Sequence, residues 1–342
     1  SGNGKDEDMA ENVLACRDRR IGRIRLNRTA ALNALDLGMI RGIRAALEDW
    51  RSEPAIHAVV IESADPRSFS AGGDVRAMRL AALAGDDDAI FSFFSEEYAL
   101  NLAIAEYPKP YIAIVDGIAM GGGIGISVHG SVRIATERAV FAMPETAIAL
   151  FPDIGASYLL PRLPGALGTW LAITGTRLTG ADAAHAGLAT HFVPRTRLPA
   201  LSAALANDGR GVLAAFAEPL PPCSFASLRP AIDRVFSASS VPALLERLAA
   251  EPGPFGSDTI ASLRTYSPSS IAWSLEVLRR GAASTLREAL ATELRLVRRV
   301  VRYPDFAEGV RAMVIDKDRK PLWTPASIEA IDPARIQAMF EE

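Results

Sequence analysis

Two carboxylates stand isolated in a long apolar stretch. Between Ala139 and Pro161 the only charged residues are Glu145 and Asp153, within Met143-Pro144-Glu145-Thr146-Ala147-Ile148-Ala149-Leu150-Phe151-Pro152-Asp153. Such groups are either exposed at the turns that Pro144 and Pro152 favour or held in a dry site. A dry site raises a carboxyl pKa toward values useful for acid–base work. A third carboxylate, Glu97, falls on the helical face formed by Ile90, Phe93, Phe94, Leu100 and Ile104, whereas Glu96 points elsewhere. A carboxylate on an apolar face needs a partner. Glu97 is therefore either a salt-bridge residue at the edge of that face or a ligand contact.

Two glycine motifs could meet a substrate through the backbone. Phe69-Ser70-Ala71-Gly72-Gly73-Asp74 follows the apolar run Val59-Val60-Ile61. Its Gly-Gly pair is either a strand-to-helix turn or a place where a ligand approaches the backbone closely. Asp116-Gly117-Ile118-Ala119-Met120-Gly121-Gly122-Gly123-Ile124-Gly125 follows the apolar run Tyr111–Val115 and enters a helical pattern. It serves either tight strand–helix packing or anion binding by free N–H groups at a helix start. The dinucleotide pattern GxGxxG fails, because the third glycine would fall on Ile126. No GxSxG elbow exists, since Gly125-Ile126-Ser127-Val128-His129 ends in histidine. Ser127 and His129 are two residues apart on a helix and point away from each other, so His129 reads as structural.

The elements that position these groups follow a repeating order. Ile24 and Leu26 alternate with arginines and suggest a half-exposed strand. Ile40, Ile43, Leu47 and Trp50 mark one helical face. Val59–Ile61 and Tyr111–Val115 read as buried strands, and Val132–Ala135 and Ala139–Ala142 as two short ones. Strands alternating with helices define an α/β core over residues 11–217. Pro219, Pro221 and Pro222 resist both helix and central strand, which makes residues 218–222 a linker or a surface loop. Beyond it, residues 223–342 read as a helical C-terminal region. Ser267-Pro268 opens one helix, and a Thr285-x-x-Glu288 capping box opens another, with Leu286, Leu290, Leu294, Val297 and Val301 on one face.

Composition narrows the functional classes. The 342 residues are 49% hydrophobic and 23% charged, enough to bury a sizeable core. A net charge of −3 gives no electrostatic reason to expect nucleic acid. Cys16 and Cys223 fit neither a disulfide framework nor a zinc motif, so no metal is expected. No apolar run reaches membrane-spanning length. Ser1–Ala10 is polar and lacks a signal-peptide core. A reducing compartment is expected: a bacterial cytoplasm or, with a transit peptide removed, the mitochondrial matrix.

Together these stretches resemble the crotonase (enoyl-CoA hydratase/isomerase) superfamily. The likeness begins at Leu26-Asn27-Arg28, runs through Leu32-Asn33-Ala34-Leu35, and includes Ser70–Asp74 and Asp116–Gly123. Within the superfamily, the stretches 120–130, 141–146 and 151–155 are most similar to the 3-hydroxyisobutyryl-CoA hydrolase branch. So are Phe306-Ala307-Glu308-Gly309-Val310-Arg311-Ala312 and Ile315-Asp316-Lys317-Asp318. The resemblance implies a spiral of β-β-α units with a C-terminal helical region. It implies an acyl-CoA substrate whose thioester oxygen sits in an oxyanion hole made by the N–H groups of Gly73 and Gly122. By the same likeness Glu145 is the catalytic glutamate, Asp153 its partner acid, and Glu97 the residue near the substrate hydroxyl. No cofactor is implied, since coenzyme A belongs to the substrate; the partner is that substrate, with room for a homo-oligomer. Two departures matter. Hydratases carry a glutamate where this chain has Gly125, and the usual proline after Leu-Asn-Arg is Thr29. The expected reaction is thioester hydrolysis, as in valine catabolism. The alternatives are an enoyl-CoA hydratase/isomerase and a non-catalytic acyl-CoA-binding protein.

Overall fold

A computed structural model of the chain describes residues 11–341. The polar segment 1–10 lies outside the described residues.

The first half alternates strands between two sheets. β1 (Val13–Asp18) and β2 (Ile21–Leu26) form an antiparallel hairpin, followed by α1 (Leu37–Arg51). Then come β3 (Ala58–Ser63), β4 (Ser68–Ser70), α2 (Val75–Ala84) and α3 (Asp87–Ala105). The next unit is β5 (Tyr111–Val115), β6 (Ile118–Met120) and α4 (Gly122–Val128). β7 (Val132–Ala135) and β8 (Val140–Ala142) lead to α5 (Ala156–Leu159) and α6 (Leu167–Thr174). β9 (Leu178–Thr179), α7 (Gly180–Ala186), β10 (His191–Phe192), α8 (Leu198–Asp208) and α9 (Leu213–Phe216) complete this half. The large sheet has the order β1-β2-β3-β5-β7-β10 and the small one β4-β6-β8-β9. β3, β5 and β7 each hand the chain from the large sheet to the small one, and β3–β5–β7 and β4–β6–β8 pair in parallel. That recurrence is the spiral of β-β-α units expected from the sequence.

Helix starts follow local chemistry. Asp36, Asp74 and Asp86 accept from Met39, Ala77 and Ala89 N–H and cap α1, α2 and α3. β5 is buried along its whole length, as its unbroken apolar run requires.

β2 departs from expectation. It is buried rather than half-exposed: Ile21, Gly22, Arg23, Ile24 and Leu26 are all covered. Alternation with arginine signalled a wet face, but Ile21, Val60, Ile112 and Ile134 on that face build a second apolar cluster with Leu201 and Leu205 of α8. Arg23 survives burial there by pairing with Asp18 and Glu62. Gly22 leaves the opposite face open, where a Cβ would collide with the Trp50 ring.

After the exposed, irregular residues 218–222 the chain is helical. α10 (Arg229–Phe236), α11 (Val241–Ala250), α12 (Pro254–Leu263), α13 (Pro268–Gly281), α14 (Leu286–Val300), α15 (Pro304–Val310) and α16 (Pro333–Ala338) follow in order. Ser267 caps α13, and the Thr285–Glu288 capping box opens α14 with both reciprocal bonds formed. Ile271, Val277, Val297 and Phe306 join one buried cluster with Ile24, Ile61 and Phe141 of the sheets. α14 packs on α3, and α15 packs on α2 and on the turn Glu145–Ile148. Gly309 allows this last approach, since a Cβ there would stand 2.7 Å from Ile148 backbone.

Candidate active site

The site forms where the β4–α2 turn, the β6–α4 turn, the 145–153 segment and α3 meet. Ala71, Gly72 and Gly73 come from the first turn, and Met120, Gly121 and Gly122 from the second. They line a cavity of about 260 Å³ with Phe93, Phe94, Glu97, Glu145, Leu150, Asp153, Met313 and Val314. Met313 and Val314 sit on the π-helical turn Arg311–Ile315 that extends α15. A wider cavity of about 580 Å³ shares Ala71, Gly73, Val75, Met313 and Val314 and is also lined by Arg28, Arg76 and Lys317, with Asp74 paired to Arg28 at 2.9 Å.

The glycines are required by geometry. Gly72 has φ +103° and Gly121 φ +46°. A Cβ on Gly121 would stand 2.8 Å from Glu145 Oε1. A Cβ on Gly122 would collide with Glu97 Oε1 and lie 3.2 Å from Gly73 N. The backbones of Gly73 and Gly122 thus approach each other closely beside the Glu97 carboxyl. Gly122 is the first residue of α4, where an N–H has no partner inside the helix. Gly72 N–H donates to Ser70 Oγ and Asp74 N–H to Leu35 O, and no acceptor among the described residues takes the N–H of Gly73. Two free donors beside each other can hold a developing oxyanion.

All three predicted carboxylates reach this cavity. Glu97 is 2% exposed, and Glu145 and Asp153 are 4% exposed. Glu97 sits on the apolar face of α3, and Glu96 pairs outside with Arg41 at 2.7 Å. One oxygen each of Glu97 and Glu145 has no hydrogen-bond partner among the described residues. Burial, reinforced by Asp153 and then Glu145, pushes the Glu97 carboxyl well above the usual range. Burial and the nearby Asp153 do the same to Glu145. Asp153 is pushed up by burial to about 6, against the pull of the Tyr98 hydroxyl, which donates to its Oδ2 at 2.6 Å. Three carboxyls in one dry pocket share protons, so an acid and a base stand side by side.

This burial has a measurable consequence. A carboxyl whose pKa rises on folding destabilises the native state as pH climbs through that value. His129, lowered by burial to about 4, has the opposite sign, but its effect is complete above about pH 6.5, the unfolded value. Above that point the raised carboxyls Glu97, Glu145 and Glu293, the last near 8, dominate. Stability toward urea should fall between pH 6.5 and 8, by about 2 kcal/mol for each of these carboxyls that stays protonated over the interval. Glu97→Gln should flatten the slope; a slope unchanged in that variant would place Glu97 in contact with water.

Sequence reasoning missed several residues. Tyr98 follows Glu97 directly but gave no signal for its bond to Asp153. His129 is structural, as expected: its Nε2–H donates to Ile154 O at 2.6 Å. Ser127 Oγ turns back to Gly123 O and Ile124 O, so no Ser–His dyad exists. Asn101, fully buried on α3, faces Gly125, where a Cβ would stand 2.9 Å from Asn101 Nδ2 and from Ile154 Cβ. The place of the hydratases' second glutamate is therefore filled by neighbours.

Fold and site together define a protein of the enoyl-CoA hydratase/isomerase class, and the chain belongs to that family, whose model matches residues 21–340. Among curated relatives it is 44% identical to a mitochondrial 3-hydroxyisobutyryl-CoA hydrolase of Xenopus tropicalis, over 93% of this chain and 86% of that one. It is 42% identical to the human protein of the same name, over 98% and 90%. Among solved structures, one named an enoyl-CoA hydratase, from Rhodobacter sphaeroides, is 40% identical with a TM-score of 0.90, over 96% and 97% of the chains. One named a carnitinyl-CoA dehydratase, from Mycobacterium thermoresistibile, is 36% identical with a TM-score of 0.93, over 97% of each. No helix among the described residues is long and apolar enough to cross a membrane.

Proposed function

We propose that the chain hydrolyses the thioester of 3-hydroxyisobutyryl-CoA to the free acid and coenzyme A. The observation that carries this reading is the set of three buried carboxylates around the paired N–H groups of Gly73 and Gly122. The identity with proteins named for that hydrolysis supports it further. The thioester oxygen accepts from Gly73 and Gly122 N–H. Ionised Glu145 takes a proton from water, whose oxygen attacks the carbonyl carbon. The C–S bond then breaks, and the proton that Glu145 took passes to the departing thiolate, while Asp153, pushed up only to about 6 and the more readily ionised of the two, directs the water. In a covalent variant of the same chemistry Glu145 attacks first, and water opens the resulting mixed anhydride. The acyl group occupies the 260 Å³ cavity, and the wider cavity, where Arg76 and Lys317 supply positive charge, suits the anionic coenzyme A moiety.

The hydratase reading needs a second glutamate at position 125, and Asn101 and Ile154 leave no room for one. A binding protein without activity has no need for three costly buried carboxylates.

Glu97 is assigned to the substrate hydroxyl, because one of its oxygens lacks a partner and it is buried between Phe93 and the glycines. A site built to bond a hydroxyl rejects the analogue that lacks it by far more than a methylene's worth. The expected preference is 3-hydroxyisobutyryl-CoA or 3-hydroxypropionyl-CoA over isobutyryl-CoA, weakened in Glu97→Gln and weakened further in Glu97→Ala. Measuring kcat/KM for the hydroxylated and deoxy substrates on each variant tests this. An unchanged ratio in Glu97→Ala would reduce Glu97 to a structural residue.

A further inference from the structure

Asp153 opens a turn that an isolated peptide would not hold. Ile154, a β-branched residue, has φ +60°, and Gly155 follows at +80°. A β-branched residue at positive φ is rare and persists only where its surroundings over-determine it. Space for another side chain is lacking too, since a Cβ on Gly155 would stand 2.7 Å from Leu286 Cδ1 and 2.9 Å from His129 Cε1.

One side chain from the C-terminal helices holds most of this turn. Glu293, on α14, is fully buried. Its Oε2 accepts from Gly155 N–H at 2.7 Å. Its Oε1 accepts from Ser157 N–H at 3.0 Å and from Ser157 Oγ at 2.5 Å. On the other side the turn is held at Ile154 O by His129, and Asp153 itself by Tyr98. A buried carboxyl group needs hydrogen-bond partners, which here come from the segment that carries Asp153.

We propose that Glu293 is the positioning residue for Asp153: by gripping Gly155 and Ser157 it aims the Asp153 carboxyl at the thioester site. The C-terminal helices would then complete the catalytic geometry as well as cover the core. The inference rests on the proposed hydrolase reading, in which Asp153 acts on the reacting atoms.

The test uses the full chain and coenzyme A release from 3-hydroxyisobutyryl-CoA, followed with a thiol reagent. Glu293→Gln keeps the shape but turns an amide N–H toward a backbone donor. Its kcat should fall about 10-fold or more with KM within about twofold, since a small misplacement of a reacting group slows chemistry more than binding. In an Asp153→Asn background the same substitution should cause no further fall, because both act through one group. A variant with lowered thermal stability and wild-type kcat would overturn the proposal, as would full additivity with Asp153→Asn. If Glu293→Gln does not fold, Ser157→Ala removes one donor. It should lower kcat about twofold to fivefold, and an unchanged kcat would overturn the proposal. Hydrogen exchange over residues 153–157 judges the grip without turnover: faster exchange in the variant supports it and unchanged exchange refutes it. A wild-type chain that releases no coenzyme A would instead refute the hydrolase reading, leaving the exchange result to decide this one.

Discussion

Glu145→Gln should abolish nearly all turnover while leaving acyl-CoA binding in place. The amide keeps the shape of the side chain in its turn after Pro144 but can neither accept a proton from water nor attack a carbonyl. Loss of a positioned base typically costs about 10²–10⁴-fold in rate. The same change should stabilise the protein at pH 8, because Glu145 has an unpartnered oxygen and burial opposes its ionisation. An inactive variant with a higher melting temperature is the signature of a residue kept for function against stability. A Glu145→Gln protein with near-normal turnover would refute the mechanism, and one with lost binding would move Glu145 from chemistry to substrate affinity.

Gly122→Ala should be nearly as damaging, through a single methyl group. Its Cβ would collide with Glu97 Oε1, stand 3.2 Å from Gly73 N and 3.4 Å from Leu35 Cδ1. Such a methyl would crowd the N–H of Gly73, the second proposed oxyanion donor. Removing one oxyanion donor costs about 10²–10³-fold in kcat, and a plug between two donors should cost at least that. Gly122→Pro separates the causes, since it deletes the N–H itself. A folded Gly122→Ala variant with kcat within a few-fold of wild type would take Gly122 out of the oxyanion hole. Expected instead is a fall in kcat with normal folding, read by circular dichroism and by coenzyme A release.

The parts of this site legible in the sequence share one property: their signals are local. The glycine runs 72–73 and 121–123 follow apolar strands directly, and Glu145 and Asp153 stand out against their own neighbours. Glu97 was found because one helical face contains it and excludes Glu96. What escaped was made by distance. Tyr98 reaches Asp153 across 55 residues, and Glu293 reaches Gly155 across 138. The periodicity of α14 places Glu293 on the apolar face, seven residues after Leu286 and four before Val297, but its partners lie on a turn that forms only in the folded core. β2 misled for the same reason. Its alternation was real, but the face with Arg23 is covered by α8, and Asp18 and Glu62 supply the partners that burial demands. Gly125 shows the converse: a local glycine acquires meaning only once Asn101 and Ile154 are seen filling the space beside it.

A site of this build should cleave a thioester with no hydratase activity of note. The direct measurement presents the purified chain with 3-hydroxyisobutyryl-CoA and, separately, with a 2-enoyl-CoA, following free thiol and the enoyl absorbance together. Steady thiol release from the hydroxyacyl thioester is expected, with no loss of enoyl absorbance beyond the uncatalysed rate. Rapid hydration of the enoyl-CoA with no thiol released from either substrate would contradict it.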